Sequence, residues 1–241
     1  DTKGLGDWYV DSGKFPDGLS RLVNHVKSLG MRFGIWIEPE MVNPDSELYR
    51  THPDWVYRFE NRKILQGRNQ YVLDLTREDV ADFMIETLDK LLSQQEISYI
   101  KWDMNRSITE TGICGGGTVA GKQIWLRHMN NFYRVVKEIR TRHPDVEFEA
   151  CASGGARVDL GAMQYFHEYW PSDNTDPFDR LFIQNGYSLL YPPKYMRAWV
   201  TDVPEGPTSR KAPLGFALHT AMCGSLGIGN NLNRLEETEL A

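Results

Sequence analysis

Hydrophobic residues recur along the chain with two periods, one typical of helices and the other of short buried strands. Residues 18–29 place aliphatic side chains at helical spacing and are followed by Gly30, which predicts an amphipathic helix. The apolar run 33–37 predicts a buried strand, because Pro39 cannot continue a strand ladder. The same strand pattern recurs in four later segments, 97–102, 146–151, 167–170 and 196–200.

Longer helical patterns separate these strands. Thr76 and Asp79 resemble a capping box, and the apolar residues that follow trace one helical face until Gln95. A glycine-rich loop at 115–117 precedes the next helical pattern. Three further helices are predicted, over residues 123–142, 177–190 and 213–223. Helices that alternate with short buried strands indicate an α/β fold with a parallel sheet.

At this chain length a (β/α)8 TIM barrel is the first candidate fold, and a doubly wound sheet is the second. The patterns give about six βα units, roughly two fewer than the eight that close a barrel. Residues 1–241 are therefore expected to be one domain that lacks about two strands of a closed barrel. The 31 residues between Glu38 and Gln70 exceed an ordinary connection, so they are predicted to fold over the barrel mouth.

Composition and cysteine content limit which partners the protein is expected to bind and in which compartment it is expected to function. The net charge of −6 without blocks of like charge argues against a nucleic-acid surface. Residues 212–233 lack charged side chains, but prolines, glycines and asparagines interrupt them, so no membrane span is predicted. Cys114, Cys151 and Cys223 are too scattered for a disulfide framework or a zinc site, which favours a reducing, cytoplasmic location.

The candidate chemistry begins with charged residues at strand ends, where the loops of a parallel barrel converge on the active site. Lys101 and Asp103 follow the strand 97–102, and strand alternation predicts that both face the barrel interior. A nearby lysine favours the ionised aspartate, which suits a nucleophile or a cation holder. The alternative is a buried ion pair without chemistry.

A second carboxyl group comes from Asp173, which follows an aromatic strand. Partial burial would raise its pKa until it holds a proton near neutral pH. Two carboxyl groups in opposed environments are the arrangement of a glycosidase, in which one attacks and the other protonates the leaving oxygen. The alternative is turn and helix N-cap chemistry, for which residues 172–176 are also suitable.

Three further features are candidates for sugar binding. Trp36 belongs to a group of tryptophans near the strand ends, where the apolar face of a sugar ring packs well, although a core role is the commoner one. Arg68 offers several hydrogen-bond donors from the long loop, or is a solvated surface arginine. In the segment 151–155, Gly154 allows close approach of a ligand, and Cys151 is expected to be a packed, unreactive thiol.

With these residues in place, the sequence resembles the catalytic barrel of glycoside hydrolase family 36, the group that holds bacterial α-galactosidases. The resemblance is carried by "WIEPEMV" at 36–42, "KWDMNR" at 101–106 and "SDNTD" at 172–176. Similar segments also occur at 6–19 and 151–161, in order along nearly the whole chain.

The resemblance implies a retaining α-galactosidase that acts on terminal α-galactosides of small oligosaccharides, of the raffinose or melibiose type. Asp103 would be the nucleophile and Asp173 the acid/base, with their carboxyl groups roughly 5–5.5 Å apart. No metal or cofactor is implied. The pocket for the terminal galactose would be lined by Trp36, Arg68, Lys101, Cys151 and Gly154.

The resemblance also implies that residues 1–241 are a catalytic barrel fragment that carries strands 3 to 8, and that the family has parts which these residues do not contain. These are two upstream strands, an Asp-Asp-Gly-Trp segment that grips the axial hydroxyl, and flanking N- and C-terminal β domains. Assembly into a homo-oligomer, a preference for N-acetylgalactosamine, and galactosyl transfer in place of hydrolysis all stay open. Outside this family, the residues also allow a Schiff-base aldolase that uses Lys101, or a barrel that binds sugars without catalysis.

Overall fold

The computed structural model of the chain describes residues 3–110, 112, 123–202 and 210–240. The glycine-rich segment 115–117 and Cys114 lie outside the described residues. The chain divides into two compact units, Asp1–Phe148 and Glu149–Ala241. Each unit combines helices with parallel strands, which confirms the α/β prediction.

The first unit holds the longer helices of the chain. Along the sequence its elements are α1 (Ser20–Ser28), β1 (Gly34–Ile37), β2 (Met41–Val42), α2 (Glu47–Thr51), β3 (Tyr71–Val72), α3 (Glu78–Gln94), β4 (Tyr99–Trp102) and α4 (Ile124–Arg142). Strand β5 (Glu147–Ala150) begins at the end of this unit. The Glu147 amide donates to the Ser98 carbonyl over 3.0 Å.

Strands β1 and β4 pair in parallel, and their register sets the positions of the residues that follow them. Gly34 lies opposite Tyr99 and Trp36 lies opposite Lys101. A Cβ atom on Gly34 would meet the Tyr99 side chain at 2.9 Å, so glycine is required there for this close pairing. The two strands therefore end side by side, with Ile37 opposite Trp102.

The long segment after β1 contains structure that the sequence patterns did not predict. Strands β2 and β3 form a short antiparallel pair, with Met41 opposite Val72. Helix α2 lies between them in sequence, and the Ser46 hydroxyl caps it by accepting from the Tyr49 amide over 3.0 Å. Met41 and Val72 belong to a buried apolar cluster that also includes Leu5, Tyr57 and Ile124. The segment is thus a packed part of the first unit.

Helices α3 and α4 bury one face each, as their periodicity predicts. Met84 and Leu88 of α3 are buried, and so are Phe132 and Val135 of α4. The predicted capping box is wrong, because the N-cap residue of α3 is Arg77 and no side chain caps it. Thr76 instead hydrogen bonds through both its amide and its hydroxyl to Asp74, over 2.9 and 2.5 Å.

The second unit is built around two parallel strand pairs. It contains the end of β5, then β6 (Glu168–Tyr169), α5 (Pro177–Ser188), β7 (Arg197–Val200), α6 (Leu214–Ala221), β8 (Ser225–Ile228) and α7 (Glu237–Leu240). Ala150 of β5 lies opposite Tyr169 of β6, and Ala198 of β7 lies opposite Leu226 of β8. Strand β8 was not predicted from the sequence. Closure of the strands into a barrel stays a prediction.

Candidate active site

Asp103 occupies the position directly after β4, where the strand leaves the sheet. The preceding Trp102 is fully buried, and its indole Nε1 donates to Glu40 Oε1 over 2.9 Å. The Asp103 amide still donates to the Ile37 carbonyl of β1 over 2.8 Å, so the backbone at this residue is held by the strand ladder. A rigid strand end fixes a side chain more firmly than a free loop does.

The Asp103 carboxylate is buried, with 6 % of the residue exposed, and it accepts hydrogen bonds on both oxygens. Trp36 Nε1 and Asn105 Nδ2 donate to Oδ2 over 3.0 and 2.6 Å. The Met104 amide donates to Oδ1 over 2.8 Å. Donors of this kind stabilise a carboxylate in its ionised form and restrict its rotation. The group is thus arranged as a fixed, charged oxygen nucleophile would be.

Trp36 and Lys101 lie opposite each other on the paired strands. Trp36 is 42 % exposed although its indole nitrogen contacts Asp103, so part of this residue is accessible to an apolar partner. Trp8 lies beside it, with ring centroids 6.4 Å apart. Lys101 is half-buried. The pairing of β1 and β4 therefore places Trp36 beside Lys101, and the Trp36 indole reaches Asp103.

Glu38 is a second buried carboxyl group next to Asp103. It follows β1, is 1 % exposed, and accepts from the Asn105 amide at Oε1 and from Gln70 Nε2 at Oε2, the latter over 3.0 Å. Burial raises the pKa of Glu38 above its ordinary 4.5, and the charge of Asp103 raises it further, while the hydrogen bonds from Asn105 and Gln70 act against this rise.

Arg68 lies at the tip of a tight turn in the first unit. The Gln70 amide donates to the Gly67 carbonyl over 2.9 Å, and Arg68 and Asn69 both have positive φ, 54° and 59°. Two successive residues of positive φ are the signature of a type I′ turn, in which glycine and asparagine are preferred and arginine is unfavourable. The Arg68 side chain is exposed.

A buried ion pair stabilises the backbone that leads into this turn. Arg106 Nη2 and Glu110 Oε2 lie 3.5 Å apart, and both residues are largely buried. Arg106 Nη2 donates to the Leu65 carbonyl and Glu110 Oε1 accepts from the Leu65 amide, each over 2.6 Å. The backbone just before the Arg68 turn is therefore held at both of its polar groups.

Asp173 lies in the second unit, in the segment between β6 and α5. Its Oδ1 accepts from Trp170 Nε1 over 2.8 Å. Trp170 is itself packed edge-on against Trp199, at 5.1 Å between centroids, and the Arg180 guanidinium lies over its ring at 5.5 Å. The donor of this hydrogen bond is thus firmly placed. Asp173 is exposed in this chain, so the predicted partial burial of its carboxyl group is wrong for residues 1–241.

The capping role considered for residues 172–176 belongs to Asp176. Its side chain accepts from the amides of Phe178 and Asp179 over 2.9 and 3.0 Å, and Pro177 follows it at the first position of α5. This is a standard helix start. Asp173 is not needed for the cap, which leaves its carboxyl group available for chemistry.

The glycines of "CASGG" make a close approach to the backbone of this same segment. Gly154 has a φ of +93°, and a Cβ atom on it would lie 3.3 Å from Ser172 Cα. A Cβ atom on Gly155 would lie only 2.6 Å from the Pro171 carbonyl oxygen. This close packing of the chain on itself accounts for both glycines, and contact of Gly154 with a ligand stays a prediction. Cys151 is buried, as expected for a packed thiol.

Sequence reasoning missed Asn105 and Gln70 as members of the site in the first unit. Asn105 stands two residues after Asp103, and this spacing alone is the signal that could have identified it. Gln70 contacts Glu38 across 32 residues of sequence, a pairing that local patterns do not reveal. Among the described residues no three His, Cys, Asp or Glu side chains come together in a group that could hold a metal ion. None of the described helices is long and apolar enough to span a bilayer.

Comparison with known proteins gives consistent matches along the chain. The melibiase family model matches residues 1–241. The chain is 46% identical to α-galactosidase AgaA of Geobacillus stearothermophilus over 99% of its own length and 33% of that protein. It is 43% identical to the probable α-galactosidase G of Emericella nidulans, over 99% of the chain and 33% of the relative.

The fold gives the same result. The structure superposes with a TM-score of 0.96 on the crystal structure of a variant of the family 36 α-galactosidase AgaA in complex with raffinose, covering 99% of this chain and 33% of that one at 46% identity. The chain spans about a third of the length of the relatives that it matches.

Proposed function

Since the chain belongs to the melibiase family, in the branch that holds the family 36 α-galactosidases, we propose that it carries catalytic residues of a retaining α-galactosidase. Its substrates are small oligosaccharides that end in an α-linked galactose. The observation that carries the proposal is the environment of Asp103, a buried strand-end carboxylate held by Trp36, Asn105 and the Met104 amide. Two relatives that are 46% and 42% identical to the chain are named α-galactosidases.

In the first step an oxygen of the Asp103 carboxylate forms a bond to the anomeric carbon of the galactose. The bond between that carbon and the glycosidic oxygen breaks, and Asp173 gives its proton to the departing oxygen. The hydrogen bonds to Asp103 hold its attacking oxygen in place, which lowers the entropy cost of reaching the transition state.

In the second step water attacks the anomeric carbon of the covalent intermediate. The Asp173 carboxylate takes a proton from this water, and the bond between the sugar and Asp103 breaks, which restores both groups. Two displacements return the product with the starting anomeric configuration. Lys101, Trp36 and Arg68 bind the galactose ring through hydrogen bonds and ring packing, and the family resemblance assigns Cys151 and Gly154 to substrate binding as well.

We further propose that the parallel strands belong to a (β/α)8 barrel that residues 1–241 cover in part. Support comes from the pairing of the strands, because among the described residues β1 pairs only with β4, and β8 pairs only with β7. An exposed sheet edge is an aggregation hazard, so an additional strand at such an edge would stabilise the protein. Flanking β domains and assembly of several copies belong to the same proposal, and the cysteine usage supports a cytoplasmic location.

Covalent trapping tests the function. A 2-deoxy-2-fluoro-galactosyl fluoride is incubated with the complete natural protein, which is then digested and analysed by mass spectrometry. We expect the fluorosugar on the peptide that contains Asp103, and no label on Asp103→Asn. A stable borohydride adduct of a carbonyl substrate on Lys101, with no fluorosugar label, would instead establish the aldolase alternative.

A further inference from the structure

Glu38 connects the two parts of the site in the first unit. One of its carboxyl oxygens accepts from the Asn105 amide, and the other accepts from Gln70 Nε2 over 3.0 Å. Asn105 donates its side chain to Asp103 over 2.6 Å, and Gln70 closes the turn that carries Arg68. The carboxyl group of Glu38 is thus hydrogen-bonded to Asn105, which holds Asp103, and to Gln70, which closes the Arg68 turn.

The geometry points to Glu38 as a positioning residue that fixes the nucleophile Asp103 and the Arg68 turn through two separate hydrogen bonds. The inference rests on the proposed function, because it assigns Glu38 to the same site. Glu38 acts on Asp103 through Asn105, so it does not need to touch the sugar.

Its burial explains why this connection holds its geometry. Glu38 is 1 % exposed and Gln70 is 5 % exposed, so water does not compete for the hydrogen bonds between them. The side-chain oxygen of Gln70, Oε1, is buried and accepts no hydrogen bond within the described part of the chain. Glu38 is therefore the contact that orients the Gln70 amide, and without it this end of the turn loses its side-chain anchor.

On the Asp103 side, the bond from the Asn105 amide to Glu38 fixes the backbone from which the Asn105 side chain reaches Asp103 Oδ2. Burial raises the pKa of Glu38, and the charge of Asp103 raises it further. A small displacement of a nucleophile costs on the order of 100-fold in rate. Loss of Glu38 should therefore reduce turnover, whereas loss of the Gln70 contact should reduce binding.

The experiment separates these two effects in the complete natural protein. Glu38→Ala, Gln70→Ala and the double variant are compared by kcat and KM on a nitrophenyl α-galactoside, per active site titrated with the fluorosugar. We expect Gln70→Ala to raise KM about ten-fold with kcat nearly unchanged, and Glu38→Ala to raise KM equally and lower kcat on the order of 100-fold. The double variant should have the KM of Glu38→Ala, because both substitutions remove the same hydrogen bond between Glu38 and Gln70.

Two conservative variants guard against a purely structural explanation. Glu38→Gln keeps an oxygen for the Asn105 amide, so it should recover most of kcat while KM stays raised. The same variant replaces Glu38→Ala in the experiment if Glu38→Ala does not fold. Glu40→Gln alters another buried carboxyl group, which accepts from Trp102; we expect a lower melting temperature with kcat and KM per titrated site unchanged.

Unchanged kcat and KM per titrated site in the Glu38 and Gln70 variants would overturn the inference and leave the proposed function intact. Equal effects of Glu40→Gln and Glu38→Gln on both constants would also overturn it. Full turnover by Asp103→Asn, in contrast, would overturn the proposed function itself.

Discussion

The two aspartates at the centre of the proposal have opposite surroundings. Asp103 is buried and accepts at least three hydrogen bonds, whereas Asp173 is exposed and accepts one from Trp170. A nucleophile must be charged and held in position at the moment when it attacks the anomeric carbon. An acid/base must lose and regain a proton in every cycle, so a rigid, multiply bonded carboxylate would serve it poorly. The difference in packing thus matches the difference in proposed roles.

The largest test of this comparison is Asp103→Asn. The amide cannot attack the anomeric carbon, so we expect kcat/KM to fall on the order of 10⁴-fold or more for every galactoside, whatever its leaving group. Steady-state kinetics on a nitrophenyl α-galactoside and on raffinose check this. Loss on one substrate alone would contradict the role of Asp103.

Asp173→Asn should have a smaller effect that depends on the leaving group. General acid catalysis contributes about 10²- to 10⁴-fold, and a nitrophenolate leaves well without a proton. We expect raffinose hydrolysis to fall within this range and cleavage of the nitrophenyl galactoside to fall less. Equal losses on both substrates would mean that the exposed carboxyl group does not protonate the leaving oxygen.

Gly155→Ala tests how the Asp173 segment is held. Its new Cβ atom would lie 2.6 Å from the Pro171 carbonyl oxygen, so we expect a loss of about 1–3 kcal/mol in unfolding free energy from overpacking. Gly186→Ala in α5 is the matched control, because its Cβ atom meets nothing within 4 Å. It should gain roughly 0.5–1 kcal/mol from helix propensity. Chemical denaturation measures both, and equal values would contradict the packing argument.

The smallest effect concerns pH and is confined to the Asp103 side. The pKa of Glu38 is raised in the folded protein, so the folded state binds more protons than the unfolded state above pH 4.5. This contribution to stability is complete below pH 4.5 and is lost as pH rises through the raised pKa. Glu38→Gln cannot titrate, so relative to the wild type its stability should increase over this window. Melting temperatures measured at a series of pH values check this.

The sequence predicted strands and helices where periodicity is strong, as in β4 and α4, but it missed β8. Gly227 of β8 lies opposite Trp199 of β7, and a Cβ atom on it would lie 2.4 Å from the indole ring. The strand needs a glycine because of a neighbour 28 residues away in sequence, and a glycine weakens the local strand pattern. A tertiary contact therefore decided the outcome.

The site shows the same limit. The strand-end positions of Lys101 and Asp103 are visible in the sequence, because alternation and burial define where a strand ends. The hydrogen bond from Trp36 to Asp103 spans 67 residues and depends on the parallel pairing of β1 and β4. Likewise, the exposure of Asp173 could not be predicted, because it depends on which chain segments surround the carboxyl group.

The turn at Arg68 has a consequence for how this protein can change. An arginine occupies a backbone conformation with φ of 54° that glycine adopts without strain. Replacement by glycine would relieve on the order of 1 kcal/mol, so selection for heat resistance alone should remove this arginine. With Arg68 in its proposed role in sugar binding, a library screened only for thermal tolerance should therefore lose affinity for galactosides through early changes at position 68.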